Sequence, residues 1–239
     1  MSPYAAVAVV IPAHNEAANL PGCLKAVATA AACAPLPVSV VVVLDDSDDD
    51  SEDLAGRFGS DIHFVTVDAG NVGAARAAGF SFARSLCGAD VPAWYATTDA
   101  DSCVDPDWLI RQLDAEADMV LGVVRVSDWR RTPAAAVRRY LRAYHARVGR
   151  KGHDHVHGAN MGFRADAYWQ LGGFRALPSG EDVELVGRFE AAGYRVHRDP
   201  ALSVTTSARE QGRAPGGFAA HLRGLSRRQQ KPAAARDSA

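Results

Sequence analysis

The chain has 239 residues, 48% of them hydrophobic, enough for one sizeable core in a single domain, or a domain plus a small appendage. A formal net charge of −2 gives no global field to recruit nucleic acid, and no apolar run approaches the roughly 20 residues of a membrane-spanning helix. Four cysteines (Cys23, Cys33, Cys87, Cys103) form no C-x-x-C pair, so we expect them reduced, in a cytoplasmic protein. The N-terminal segment lacks the basic stretch of a secretory leader, and its apolar run reads as a strand.

In chain order, Ala5 to Ile11 is a β-branched run closed by Pro12, the pattern of a buried strand. Glu16 to Ala32 carries Leu20, Leu24, Val27 and Ala31 at helical spacing, with Pro21 early, where a missing N–H costs least. Val38 to Leu44 and Ile62 to Val67 are further strands. Asn71 to Leu86 is a helix expected to turn Ala75, Ala78, Phe82 and Leu86 inward. Ala93 to Thr98 is a fourth strand running into Asp99-Ala100-Asp101. Asp105-Pro106 has the form of a cap followed by a first-turn proline and predicts a helix to about Ala117. Met119 to Val126 is a strand, and Thr132-Pro133 repeats the cap signature before a helix to about Val148. A short strand at Asn160 to Arg164, a helix around Tyr168, a helix from Glu181 stopped by Gly193, and short strands at Tyr194 to His197 and Leu202 to Thr205 complete the series. Alternating strands and helices with buried-type strands predict an α/β fold, a mostly parallel sheet covered on both faces. We expect one domain over 1–225, divisible into halves at 1–105 and 106–225, and a flexible polar tail at 226–239.

Ligands of such sheets bind at the carboxyl ends of the strands. That places Pro12, His14 and Glu16, the pair Asp45-Asp46, and Asp99 with Asp101 along one edge. The run of acids after Leu44 is a poor calcium loop, because Ser51 and Arg57 stand where the glycine and final glutamate would be needed. Asp48 to Asp53 read as a solvated turn. Asp45 and Asp46 differ in sitting at the strand end itself.

Ordered motifs carry a resemblance over residues 5 to about 205. VVIPAHNEAANL, VVVVLDD, NVGAARAAG, TTDADS, HGANMGFR and SGEDVEL, in this order, resemble the family 2 glycosyltransferases of the GT-A fold. The resemblance implies a nucleotide-sugar donor, with UDP the default, and a carbohydrate, glycolipid or small-molecule acceptor. It implies a divalent cation, Mn²⁺ or Mg²⁺, at the D-x-D. Two carboxylates one residue apart at a strand end suit a hard cation that neutralises a departing diphosphate. Asp101 is the expected metal ligand, and Asp99 a ribose or metal contact. Asp45, or alternatively Asp46, is expected to read the nucleobase. Pro12, His14 and Glu16 would line the nucleoside pocket, and Arg76 would reach the pyrophosphate or hold the Asp45 loop. Asp182 is the implied general base for inverting displacement, with Glu181 positioning the acceptor. Ser47 stands where the family usually has glycine, which questions the turn more than the role. No Q-x-x-R-W segment occurs, so a single sugar transfer is expected rather than polymerisation.

Three features remain. His153, His155 and His157 alternate, which suggests zinc or, better, an acceptor-side loop. Thr206 to Phe218, with Arg209, Arg213 and three glycines, reads as a basic lid over the diphosphate or an ordinary loop. Residues 125–151 hold nine basic residues against one acid. The helix inside that stretch, with a stripe of Val137, Tyr140, Leu141, Tyr144 and Val148, is either core-packed with a solvated arginine face or a peripheral contact with anionic lipid or a phosphate-bearing lipid-linked acceptor at the inner face of the membrane. The functional alternatives are a sugar-nucleotide nucleotidyltransferase, which would want a glycine-rich loop where PAHNEA stands, and an inactive nucleotide-binding module.

Overall fold

The structure, a computed structural model, describes residues 2–126, 129–130, 133–149 and 152–206. Arg131, Thr132, the tail, and the lid expected from Thr206 to Phe218 lie outside these residues, Thr206 itself excepted. The elements are β1 (Ala6–Ala13), α1 (Leu20–Cys33), β2 (Val38–Asp45), a 3₁₀ turn (Glu52–Leu54), β3 (Ile62–Val67), α2 (Val72–Cys87), β4 (Ala93–Thr97), β5 (Ser102–Val104), α3 (Trp108–Asp114), β6 (Met119–Val126), α4 (Ala134–His145), β7 (Val148–Gly149), β8 (Gly152–His153), β9 (Met161–Arg164), α5 (Ala165–Gln170), α6 (Glu181–Ala191) and β10 (Val196–Thr206).

Among the described residues, eight strands form one sheet in the order β3-β2-β1-β4-β9-β6-β10-β5. β1, β2, β3 and β4 run parallel, as β6 and β10 do, while β9 is antiparallel to both β4 and β6. The strand order reverses between β1 and β4, where crossovers to opposite sides open a crevice above the carboxyl ends. Alternate residues of each strand feed two cores. Val7, Val9 and Ile11 pack with α1 and α3; Ala8 and Val10 pack with α2, α5 and α6 around Phe80, Tyr168 and Phe189. The α/β architecture with helices on both faces is thus as the sequence predicts.

Several boundaries differ, each for a local reason. α2 is rotated from its expected stripe. It buries Ala75, Arg76, Gly79, Phe80 and Ala83, while Leu86 is 40% exposed. Gly79 is the cause: a Cβ there would lie 2.4 Å from Val10 and 2.8 Å from Val43, so the helix rests on the sheet at this point. Asp105 does not cap a helix. Residues 102–104 are still in the sheet, antiparallel to β10, and α3 begins only at Trp108, whose N–H reaches the Asp105 carbonyl. The two late strands are one, β10, with an irregularity between Arg198 and Ser203. In α4 the buried positions are Ala136 and Tyr140, and Leu141, on the apolar stripe read from the sequence, is 37% exposed.

Candidate active site

Neighbouring strand ends build the crevice. β1 ends in a loop held by polar clasps to the loop after β2. The Asn15 carboxamide oxygen accepts from the backbone N–H groups of Asp48 and Asp49, at 2.8 and 3.2 Å, and the Ala17 N–H donates to Asp49 Oδ2 at 2.8 Å. Asn15 and Asp46 both take left-handed conformations, at φ 54° and 48°. The left-handed residue of this turn is therefore Asp46, and Ser47 is free to use its hydroxyl, which accepts from Asn15 N–H at 3.1 Å. Asp49 is thus a clasp between loops rather than one more solvated acid. Within the crevice wall, Pro12 lies in β1 opposite Val43, and exposed His14 donates through Nδ1 to the Asp45 carbonyl at 2.7 Å. Buried Glu16 accepts from the Asn19 side chain at 2.8 Å.

Asp45 is buried and fully engaged. Its Oδ1 accepts from the N–H groups of Ala69 and Gly70, at 2.8 and 2.9 Å, and Oδ2 from Asn71 N–H at 2.9 Å. A carboxylate spent on three amides organises the turn that starts α2. Asn71 then caps that helix, accepting from Ala74 N–H at 3.0 Å, and its Nδ2 donates to the Leu177 carbonyl at 2.7 Å. Asp46, by contrast, is exposed beside it.

Arg76 stands just over one turn into α2 and is neither a surface residue nor a support for the Asp45 loop. Its side chain is 3% exposed. Nη2 binds Asp99 Oδ1 at 2.7 Å, and Nη1 pairs with Glu181 Oε1. Its carbon lies 5.6 Å from the centre of the Phe174 ring. Burial works against the guanidinium charge, but Asp99 and Glu181 outweigh it and raise the Arg76 pKa. Enclosure by the cleft walls pushes the Asp99 carboxyl up to about 6 against the pull of Arg76, with Asp101 adding to the rise. Asp99 keeps 41% of its side chain open.

Glu181 and Asp182 open α6 behind Gly180, in the left-handed conformation at φ 77°, where the helix N-terminus favours negative charge. Glu181 is buried on Arg76; Asp182 is half-buried, and its Oδ2 accepts from Gly158 N–H at 2.9 Å. Gly158 has to be glycine. A Cβ there would sit 2.5 to 2.7 Å from three atoms of the Arg76 guanidinium. Two residues on, Asn160 is wholly buried and structural. It accepts from Trp108 Nε1 and donates to the carbonyls of Val123 and Leu202, stitching α3, β6 and β10 together.

His157 lies between this loop and α4. Tyr144 Oη accepts from Val124 N–H at 2.9 Å and approaches His157 Nε2 at 3.4 Å, while the Tyr144 and His155 rings stack at 3.8 Å. Burial lowers the His157 pKa to about 4. His153 accepts from His155 N–H through Nδ1 and donates through Nε2 to the Leu121 carbonyl, which leaves it no lone pair for zinc.

Asp99 and Asp101 are the pair that could hold a divalent cation. Asp101 Oδ1 lies within reach of the Ser102 and Thr206 hydroxyls, at 3.5 and 3.3 Å. Among the described residues no group of three or more ligating side chains forms a protein cage. Two carboxylates at an open strand end suit Mg²⁺ or Mn²⁺, whose remaining positions go to phosphates and water.

The geometry therefore joins Asp99, Arg76, Glu181, Asp182 and Gly158, with Asp101 adjacent to Asp99 through space as well as sequence, and sets Asp45 apart at the start of α2. Residues 8–172 match the profile described as Glycosyl transferase family 2. No curated protein matches the chain. Among solved structures it is similar to S. aureus TarS 1-349 in complex with UDP-GlcNAc, with a TM-score of 0.63 and 14% identity over 92% of this chain and 65% of that one. It is also similar to the mannosyltransferase PcManGT from Pyrobaculum calidifontis in complex with GDP-Man and Mn²⁺, with a TM-score of 0.61 and 20% identity over 86% and 58%. The chain spans 42% of the longer TarS structure. These likenesses confirm the GT-A fold.

Proposed function

Because the chain belongs to glycosyl transferase family 2, we propose that it moves one sugar from a nucleoside-diphosphate donor to an acceptor hydroxyl, with inversion at the anomeric carbon. The observation that carries this reading is the Arg76 fork, which brings the end of β4 and the start of α6 into one cleft. Asp182 is the better base of the acidic pair, because Glu181 is buried on Arg76 while Asp182 keeps an open side. It would take the acceptor proton as the acceptor oxygen bonds to C1 and the C1–O bond to the diphosphate breaks, releasing the nucleoside diphosphate.

Asp99 and Asp101 would hold a divalent cation, which supplies charge neutralisation for the leaving diphosphate. Asp46, being exposed, suits contact with the nucleobase better than Asp45, whose oxygens are committed to amides; Pro12, His14 and Glu16 would form the neighbouring wall. UDP remains the default donor nucleotide. We place the reaction in the cytoplasm, at the inner face of the membrane when the acceptor is lipid-linked.

A thermal-shift panel of nucleotide sugars with and without Mn²⁺ tests the proposal, since a ligand stabilises by RT ln(1 + [L]/Kd). One nucleotide should stabilise the protein only with metal. Asp101→Ala should lose that dependence. Asp182→Asn should keep the shift and lose release of nucleoside diphosphate to added carbohydrate acceptors or water; full turnover in that variant would remove Asp182 as base. Stabilisation without turnover in the unaltered protein would favour an inactive binding module, and pyrophosphate as product a nucleotidyltransferase.

A further inference from the structure

A concavity of about 700 Å³ lies along α4, and none of its lining residues belongs to the carboxylate cluster. It is lined by Ala135, Arg138, Arg139, Arg142, Ala143 and Ala146. These positions fall on one helical face, roughly a third of a turn round the helix from the buried Ala136 and Tyr140. Arg138 and Arg142 are exposed and Arg139 half-buried. Among the described residues no carboxylate pairs with Arg138 or Arg142. Like charges four residues apart weaken a helix unless an anion offsets them. Leu141 is exposed beside them, although the rest of the apolar side of the helix is packed.

We propose that this face of α4 docks the protein on an anionic membrane surface, with the arginines against lipid phosphates and Leu141 dipping between headgroups. The exposed Arg138 and Arg142 guanidiniums beside alanine methyl groups complement a plane of phosphate charge, and a neighbouring leucine has a use at a lipid interface that it lacks on a free phosphate or a nucleic acid. The opposite side of the same helix bears Tyr144, which touches β6 and His157 next to the Gly158–Asp182 contact. A docked helix would therefore hold the acceptor side of the cleft close to the bilayer. That last consequence rests on the glycosyl-transfer reading; docking itself does not.

Co-sedimentation of the whole chain with phosphatidylcholine vesicles, with and without phosphatidylglycerol, tests the surface without any sugar donor. Binding should require phosphatidylglycerol and fall steeply as salt rises past the physiological range. Arg138→Gln/Arg142→Gln should lower partitioning about fivefold per arginine, so about twenty-five-fold, with an unchanged melting temperature. Leu141→Ser should weaken binding in high salt more than in low. Arg57→Gln, a change at an exposed arginine elsewhere, should leave binding as it was. The proposal is overturned by equal binding to phosphatidylcholine alone, by no sedimentation at low salt, by equal loss in the Arg57 variant, or by capture on heparin without capture on vesicles. Any of these leaves the donor-dependent thermal shift, and so the enzymatic reading, untouched.

Discussion

Replacing Arg76 by methionine should be the most costly single change in the cleft. Methionine keeps much of the side chain's volume but removes the cation from two carboxylates. Glu181, at 8% side-chain exposure, would be left as a buried charge without its partner, whereas Asp99, at 41%, can turn to water. Breaking a buried pair costs about 3–5 kcal/mol, and the exposed arm contributes little of that, so we expect about 3 kcal/mol. For a chain of this size that is a fall in Tm of about 6–12 °C.

Urea and thermal unfolding by circular dichroism would measure it. Arg76→Lys should fall between, because an ammonium cannot span both carboxylates as the fork does. Arg76→Met/Glu181→Gln should recover about half of the loss, since the stranded charge is gone. Gly158→Ala supplies a cross-check. Its Cβ would strike the guanidinium, at about 1–3 kcal/mol, and this penalty should largely vanish when it is combined with Arg76→Met. An Arg76→Met protein within about 0.5 kcal/mol of the original, or a Gly158→Ala penalty unaffected by it, would refute the view that the fork ties the two halves of the cleft.

Two further outcomes follow from other contacts. Asn71→Ala removes both the α2 cap and the tie to the Leu177 carbonyl, and should cost about 1–2 kcal/mol in the same unfolding assay, where Asn71→Ser should recover the cap share alone. His157 is held near a pKa of about 4, below the usual histidine value of 6.5, so between these pH values the unfolded chain binds the extra proton. Its contribution is therefore complete above about pH 6.5 and lost as pH falls toward 4, worth about 2–3 kcal/mol; His157→Gln should flatten that part of the stability–pH curve.

What could be read from the sequence follows the range of the interactions involved. β1, β2 and β4 are largely apolar runs buried on both faces, and even edge strand β3, mostly half-buried, keeps enough β-branched and aromatic residues for local composition to suffice. β5 is three residues long and finds its antiparallel partner about a hundred positions later, in β10, so no local pattern announces it. Arg76 is the instructive case. Its spacing with Ala75, Gly79, Phe80 and Ala83 already puts it on the buried face of α2, but a stripe drawn through the larger apolar side chains, Phe82 and Leu86, hides this. Only the tight contact of Gly79 with Val10 and Val43 sets the rotation of the helix. The Asp45 carboxylate misleads in the opposite sense. It is at the strand end, as expected of a residue facing ligand, but is used up by amides twenty-four to twenty-six residues on.

The fate of Arg76 bears on how a donor could bind at all. An arginine entering this cleft looks like a partner for pyrophosphate, but both arms of its fork are committed to protein carboxylates and its side chain is 3% exposed. Around it stand Asp99, Asp101, Glu181 and Asp182, so the formal charge of the cluster is three negative in surplus, four carboxylates against one guanidinium. A diphosphate brought to this edge adds to the repulsion, which in a low-dielectric cleft is stronger than in water. Positive charge must therefore come from elsewhere. Under the proposed function Asp99 and Asp101 would offer it by holding a divalent cation, and the surplus would make that site more attractive before the donor arrives. A second candidate, from the sequence alone, is the basic stretch after Thr206, with Arg209 and Arg213. The two differ in what EDTA does. If the cation carries the charge, chelation should abolish the nucleotide-induced thermal shift; a shift that survives EDTA but is lost in Arg209→Gln/Arg213→Gln would move that role to the segment after β10.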